Sequence, residues 1–295
     1  MEDVVTKPAL TGARKPTQAE IEFYREHGWA QLSGLFPVEL AHGLLAIAKL
    51  HMGENAERDG YTSRGSLYAA WPRASWENDW LRSVSQSHEV ASVVRGLCGG
   101  RPLRYYNDLF MAKRPAQDGG TRTPWHQDLP NQPFDRGGAI TLWMPLVDCP
   151  PERGSLRFLS GSRAGGPLGR FGAREDGIDM VDAYPHVIDE YELSPPLSLS
   201  VGDVTVHDFL TIHSAPDNLM NETRWVYAMT FFPAETLYTG ADSRNTNGLN
   251  LTVNQTFDDG LFPILGVSAQ VGPAASAPGD GAPCPSNRDN QPQGK

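Results

Sequence analysis

From Leu103 to Phe232 the chain is written in short apolar, β-branched runs cut by glycine and proline, and this half limits the fold more than anything else in it. Leu103–Lys113, Ala139–Val147, Leu156–Leu159, Leu197–Val201, Val204–His213 and Arg224–Phe232 each read as a strand. No helical pattern alternates with them, and a parallel sheet needs a crossover helix between neighbouring strands, so an antiparallel barrel or sandwich is favoured. Helices come earlier. Thr17-Gln18-Ala19-Glu20 has the form of a capping box ahead of Ile21, Phe23 and Tyr24, and Gly28 ends that helix. Trp29–Leu32 reads as a short strand. A helix near Val38–Met52 places Leu40, Leu44, Leu45 and Ile47 on its inner side, and another spans Ser87–Leu97. The expected class is mainly β with flanking helices, an α+β chain without internal repeats.

A length of 295 residues suits one large domain. The expected boundaries are a flexible leader at 1–16, a single domain at 17–270 and a disordered tail at 271–295, rich in Ala, Pro, Gly and Ser. Within the domain, 17–100 is a helical flank, 101–235 the β core and 236–270 a C-terminal extension. The net charge of −10 offers no basic footprint, so no nucleic-acid partner is expected. No apolar run is long enough to span a bilayer, and the start, Met1-Glu2-Asp3, is acidic, so neither membrane insertion nor secretion is expected. Cys98, Cys149 and Cys284 are scattered and odd in number, which suits a reducing compartment. A cytoplasmic protein, monomer or homodimer, acting on a small molecule is the reading.

The chemistry concentrates at Thr123-Pro124-Trp125-His126-Gln127-Asp128. Residues i and i+2 of an extended strand point to one side, so His126 and Asp128 can aim an imidazole and a carboxylate at one point. A His-x-Asp alone is common. A third ligand must come from elsewhere, and His213, closing the apolar run Val204–Ile212, is the best candidate. Two histidines and one carboxylate on one face of a metal leave the other face open, the donor set of non-haem iron(II). His207 reads as a hydrogen-bonded strand histidine or as an extra ligand.

A second signal lies on the last strand. There Arg224, Val226, Ala228 and Thr230 share one face, and Trp225, Tyr227, Met229 and Phe231 the other. If the smaller residues line the interior, Arg224 points inward and requires an anion, for which a carboxylate is the bidentate match. Taken alone, Arg224 reads first as a cap of the strand at the surface or a partner for an acidic loop. Two irregular stretches, 55–80 with Tyr61, Tyr68, Trp71, Trp76 and Trp80, and the acidic 164–191, read as surface loops or as a lid.

Jointly, His126-Gln127-Asp128, Trp143, Gly202-Asp203, His213, Asn218 and Arg224 resemble the phytanoyl-CoA dioxygenase (PhyH) family of iron(II)- and 2-oxoglutarate-dependent oxygenases. Glu26-His27-Gly28-Trp29 and the stretch from Glu152 to Arg163 add to the resemblance, which spans roughly Thr17 to Pro233. It implies a double-stranded β-helix, a cupin-like jelly roll, with the metal at its open mouth. It also implies that His126, Asp128 and His213 bind iron(II), that Arg224 clamps the distal carboxylate of 2-oxoglutarate, and that Trp143 lies against that cosubstrate. This chain departs from the family pattern at Arg153, Arg163 and Ala215. The last stands where many members carry a serine that helps hold the cosubstrate, so Ser214, Thr141 or Thr123 is expected to supply the hydroxyl.

The implied reaction consumes O2 and 2-oxoglutarate, releases succinate and CO2, and hydroxylates or otherwise oxidises an unactivated C–H bond of a small organic molecule, with a specialised metabolite expected. Related halogenases carry Gly or Ala at the carboxylate position, so Asp128 favours oxidation over halogenation. Tyr61, Trp71, Asn107 and Phe134 are the candidates to face the substrate. The competing readings are a zinc-dependent enzyme using the same donors and a cupin-like binding protein without catalysis.

Overall fold

Residues 12–61, 68–171 and 178–266 are described by the structure, a computed structural model. The expectations for most of the leader and for the 271–295 tail fall outside these residues.

The first helix, α1 (Gln18–His27), begins at the expected capping box: the Thr17 hydroxyl accepts from the Glu20 N–H while the Glu20 carboxylate accepts from the Thr17 N–H. It stops where Gly28 turns to φ 79°, a left-handed conformation that glycine adopts without strain. β1 (Trp29–Leu32), α2 (Val38–Met52), β2 (Ala69–Pro72), α3 (Ala74–Glu77), α4 (Asp79–Ser85) and α5 (His88–Leu97) complete the helical flank. The β-rich half holds β3 (Leu103–Lys113), β4 (Thr123–His126), β5 (Ile140–Pro145) and β6 (Arg157–Ser160). After α6 (Met180–Ala183) and α7 (His186–Glu190) come β7 (Glu192–Leu193), β8 (Val204–Asp208), β9 (His213–Ala215) and β10 (Arg224–Pro233).

These strands form a six-stranded sheet, β1-β8-β5-β10-β3-β2, and a four-stranded sheet, β4-β9-β6-β7. Every strand pairing is antiparallel. The large sheet is buried on both sides, and β10 shows how the sequence divides the work. Its bulky residues Trp225, Tyr227, Met229 and Phe231 pack with Leu40, Leu44, Val90 and Val94 of the helical layer. Its small residues Val226 and Ala228 turn inward, to Trp29, Trp143, Phe158 and Ala215. Large side chains outward and small ones inward leave space between the two sheets, which is the geometry of a jelly roll with an interior site.

Two expected strands are corrected. Leu197–Val201 makes only a single bridge, Leu199 with Cys149. Val204–His213 is not one strand: it turns at Asp208, whose carboxylate accepts from the Leu210 N–H and whose carbonyl accepts from the Thr211 N–H. The break sends β8 into the large sheet and β9 into the small one, so His207 and His213 approach each other from opposite sheets. The C-terminal extension returns to β3, where the Pro263 carbonyl accepts from the Tyr105 N–H. Phe257 and Phe262 join Tyr106, Phe134, Phe209 and Phe232 in an aromatic cluster. No helix among the described residues is long and apolar enough to cross a membrane, and Cys98 and Cys149 are unpaired.

Candidate metal centre

His126 ends β4 opposite His213, the first residue of β9. Asp128 is not on the strand. Its backbone is helical, φ −76° and ψ −41°, and it opens a tight turn at Leu129–Asn131. Convergence of His126 and Asp128 therefore comes from a corner, held by the Asp128 and Leu129 N–H groups donating to the Phe209 carbonyl, and not from strand alternation.

Both ligand-candidate imidazoles are oriented by their Nδ1 atoms. His126 Nδ1 lies 2.8 Å from the Pro124 carbonyl and His213 Nδ1 3.0 Å from the Thr211 carbonyl. A carbonyl only accepts, so each Nδ1 carries the proton and each Nε2 presents a lone pair. Those Nε2 atoms lie 3.6 Å and 4.0 Å from the same carboxylate oxygen, Asp128 Oδ1. One donor atom from each of His126, Asp128 and His213 lies within 4.8 Å of the others. Three lone-pair atoms converging with no proton between them repel one another unless a cation sits at their centre, so the residues fit a metal ion. Burial raises the Asp128 carboxyl, but the pull of His213, His207 and His126 outweighs it and holds the group well below the usual carboxylate range. Burial, reinforced by His126 and His207, pushes His213 well below its ordinary value and keeps it neutral, the form a metal needs.

Arg224 does point inward. Its guanidinium lies 5.3 Å from the centre of the Trp143 ring and donates to the Gly154 carbonyl, while its Nε has no partner. Lys113, its cross-strand neighbour on β3, is fully buried. The Lys113 ammonium donates only to neutral oxygens: Thr123 Oγ1 at 3.0 Å and the Ala215 and Pro216 carbonyls at 3.4 Å. Burial first, then the Arg224 charge, pushes Lys113 well below its ordinary value. Two basic side chains adjoin inside the barrel with no carboxylate in ion-pair reach among the described residues, and the buried Arg224 guanidinium demands an anion.

The model of the family described as phytanoyl-CoA dioxygenase (PhyH) matches residues 24–226. The chain belongs to the PhyH family. "Phytanoyl-CoA dioxygenase domain-containing protein 1" of Bos taurus is 27% identical over 161 residues, covering 52% of this chain and 53% of that protein. The chain thus spans about half the length of this curated relative. Among solved structures, the α-ketoglutarate-dependent carbocyclase SnoK from nogalamycin biosynthesis superposes with a TM-score of 0.70 at 23% identity, covering 86% of this chain and 98% of that one. The epimerase SnoN, solved with Fe3+, α-ketoglutarate and nogalamycin RO, gives 0.69 at 24% identity, with coverage of 83% and 97%. EctD from S. alaskensis, solved with 2-oxoglutarate and 5-hydroxyectoine, gives 0.61 at 14% identity, with coverage of 75% and 78%. These likenesses establish the double-stranded β-helix.

Within this PhyH fold the other residues singled out from sequence separate. Thr123 stands beside Lys113, at the Arg224 end of the interior. Thr141 stands at the metal end, its hydroxyl 3.4 Å from Asp128 Oδ2. On β9, His213 and Ala215 face inward, so alternation turns Ser214 away. Asn107 faces the interior with its Oδ1 unpartnered, and Phe134 is locked in the aromatic cluster. Trp71 and Tyr61 are corrected as substrate-facing candidates. Trp71 lies on the helix-facing side of β2, stacked on His51 at 4.1 Å and Phe110 at 5.5 Å, with Tyr61 packed beside it.

Sequence reading missed three residues of this PhyH site. Lys113 closes the Leu103–Lys113 run and drew no role from the sequence; its register opposite Arg224 in the fold is what marks it. Gln127, between two ligand candidates, is fully buried. Its amide bonds the Gly166 carbonyl, the Leu168 N–H and the Leu210 carbonyl, so the start of the acidic 164–191 stretch is tied to the metal-binding corner. Tyr68 lies within electrostatic reach of both Asp128 and Arg224; burial pushes its hydroxyl up, Asp128 adds to this and Arg224 opposes it.

Proposed function

We propose that this PhyH-family protein is an iron(II)- and 2-oxoglutarate-dependent dioxygenase that oxidises a C–H bond of a small organic molecule. The observation that carries this reading is the pairing of a three-donor metal corner with a buried, unneutralised arginine across one interior. Bound by His126, Asp128 and His213, iron(II) would supply the chelating and oxygen-activating chemistry for 2-oxoglutarate and O2.

The chain's own residues do the rest. Arg224, with Lys113 beside it, binds the distal carboxylate of 2-oxoglutarate, which satisfies the free Arg224 Nε. Trp143, stacked on Arg224, forms one wall of that pocket and keeps the guanidinium planar to the cosubstrate. Thr123 supplies the hydroxyl that Ala215 lacks, since it alone of the three candidates stands at this end. Val226, Ala228 and Trp143 line the space between with apolar surface and exclude water. Asp128 occupies the carboxylate position, which favours oxidation over halide binding.

For the substrate, we infer a specialised metabolite and hydroxylation or a related C–H oxidation. Support comes from the nogalamycin-biosynthesis enzymes SnoK and SnoN, whose fold this chain shares. The catalytic unit is proposed to run from 17 to 270.

The test is anaerobic. Metal-free protein reconstituted with iron(II) and 2-oxoglutarate is expected to develop the visible charge-transfer band of the chelate, and Asp128→Ala is expected to lose it. With oxygen and the right substrate, succinate should form in step with oxidised product. A wild-type protein that develops no band, or an Asp128→Ala variant that keeps full substrate-linked turnover, overturns the reading.

A further inference from the structure

His207 is unassigned by the site described above, yet it touches that site. It lies on β8, in register with Thr141 of β5, and both side chains face the interior. Both reach the same atom. His207 Nε2 lies 3.4 Å from Asp128 Oδ2, and Thr141 Oγ1 also lies 3.4 Å from it. The other carboxylate oxygen, Oδ1, faces His126 Nε2 and His213 Nε2. The two oxygens of Asp128 are thus sorted: one toward the metal corner, one toward a pair of donors on the large sheet.

Such sorting is needed here because of where Asp128 stands. It sits on a tight corner instead of a strand, and its side chain is 26% exposed, so packing alone does not fix it. The terminal torsion of an aspartate is broad, so an unrestrained carboxylate samples monodentate and bidentate orientations. His207 has the rigidity that Asp128 lacks. It is 2% exposed, with its ring 5.5 Å from Phe158 and 4.3 Å from His213. Its Nδ1 is buried without a partner. Among the described residues the ring meets one acceptor, the Asp128 carboxylate facing Nε2, and a carboxylate cannot donate, so Nε2 is the nitrogen that carries hydrogen toward it. An Nε2 that carries hydrogen donates and cannot bind a metal, and the three-residue donor set that converges leaves His207 out.

We propose that His207 is a positioning residue, with Thr141 as its helper, that holds Asp128 Oδ2 by hydrogen bonding so that Oδ1 alone is offered to the metal. The inference rests on the metal reading of His126, Asp128 and His213. Residues that orient metal ligands from behind typically change metal affinity by about 10–100-fold when removed. Open positions on the iron depend on the carboxylate taking only one of them, so a bidentate Asp128 would compete with the cosubstrate.

The experiment compares wild type, His207→Leu, His207→Gln and Thr141→Val by anaerobic iron(II) titration of the metal-free proteins against a chelating dye. Gln carries an N–H donor near the place of the imidazole Nε2, whereas Leu fills the space without one. His207→Leu is expected to lose about 10–100-fold in iron(II) affinity, with Thr141→Val losing less and His207→Gln staying close to wild type. Thermal unfolding of the metal-free proteins separates this from a packing role: His207→Leu removes an unpartnered buried nitrogen and should unfold no lower than wild type. Wild-type affinity in His207→Leu, or a Gln variant as weak as Leu, overturns the inference while leaving the iron reading intact. A wild-type protein that binds no iron(II) overturns both.

Discussion

The two faces of the large sheet bury polar groups on opposite terms. On the helix-facing side the Asp108 carboxylate is fully buried, yet it accepts from the Ser75 N–H at 3.1 Å, the Ser75 hydroxyl at 2.8 Å, the Tyr227 hydroxyl at 2.7 Å and the Tyr105 hydroxyl. On the interior side, Asn107 Oδ1, Thr205 Oγ1, His207 Nδ1 and Arg224 Nε are all buried without partners. Asn107 and Asp108 are consecutive residues of β3, so the contrast is not between well-packed and poorly packed regions. Buried polar groups are as a rule satisfied within the fold; on the helical side Trp80 Nε1 departs from that rule singly, whereas on the interior face the unpartnered groups cluster. Asp108 ties α3 to β3, and the interior face is prepared for a ligand.

The largest effect expected from this contrast is at Arg224. Arg224→Met keeps the volume and the stack on Trp143 but removes the cation, and the KM for 2-oxoglutarate should rise about 100-fold, near 2.7 kcal/mol. Metal-free stability, measured by denaturant unfolding, should hold or rise, since the guanidinium has no counter-ion to lose. A large stability loss with unchanged KM would place Arg224 among the structural groups.

The mirror experiment is Asp108→Leu. It strands the Tyr105, Tyr227 and Ser75 donors at once, and at about 1–3 kcal/mol for a buried unsatisfied group the expected loss is about 3 kcal/mol. Burial raises the Asp108 carboxyl above its ordinary value against the pull of the Tyr105, Tyr227 and Ser75 donors, and those donors are what the substitution strands. The KM for 2-oxoglutarate of the folded fraction should not change. If it does, the two faces are coupled through the sheet.

What the sequence disclosed follows the same division. Elements governed by local chemistry were legible: the capping box of α1, the span of α2, the run of β3, and β10, whose alternation separated a small-residue face from a bulky one. The metal residues were legible as a set, but the geometric reason for them was not. Asp128 leaves the strand because the Phe209 carbonyl, far away in sequence, captures its N–H. A bulge or turn at Asp208 to Leu210 was open to the sequence reading, but its apolar Phe209, Leu210 and Ile212 read equally as strand, so the split into two sheets did not follow from it; Phe209 in fact enters the aromatic cluster. Trp71 was misplaced because 55–80 reads as an irregular stretch, whereas Ala69–Pro72 pairs with β3 as a strand and packs Trp71 into the helix-side core. Lys113 and Gln127 became informative only once their partners were known.

A smaller effect separates the two interior basic side chains. The Lys113 value is depressed in the fold, so the neutral amine is favoured there. Stability from such a group is complete above its ordinary value of 10.5 and is lost as pH falls toward the folded value. At pH 7 wild type therefore bears the cost of burying Lys113, and Lys113→Met removes that cost. The variant should be more stable by about 1 kcal/mol at neutral pH, with the gain shrinking as pH approaches 10.5. Denaturant midpoints across that range check the sign. A gain that grows with pH contradicts the assignment, and so does a variant that is less stable at pH 7.

The smallest effect tests how far the prepared face extends. Thr205 lies on β8, in register with Gln31 and Trp143, one row deeper than His207, and its hydroxyl is buried without a partner. Valine has the same shape, so Thr205→Val removes an unmet hydrogen-bonding demand without leaving a cavity. Stability should rise by about 0.5–1 kcal/mol. That corresponds to about 2 °C in Tm. Valine keeps the packing of Thr205 against Trp143, the pocket wall, so the cosubstrate should bind as before. A Thr205→Val variant with a raised KM for 2-oxoglutarate would instead assign this hydroxyl to the pocket. A variant that loses stability would mean that a water molecule satisfies Thr205 in the resting protein, since only a partner already present can be lost by the change.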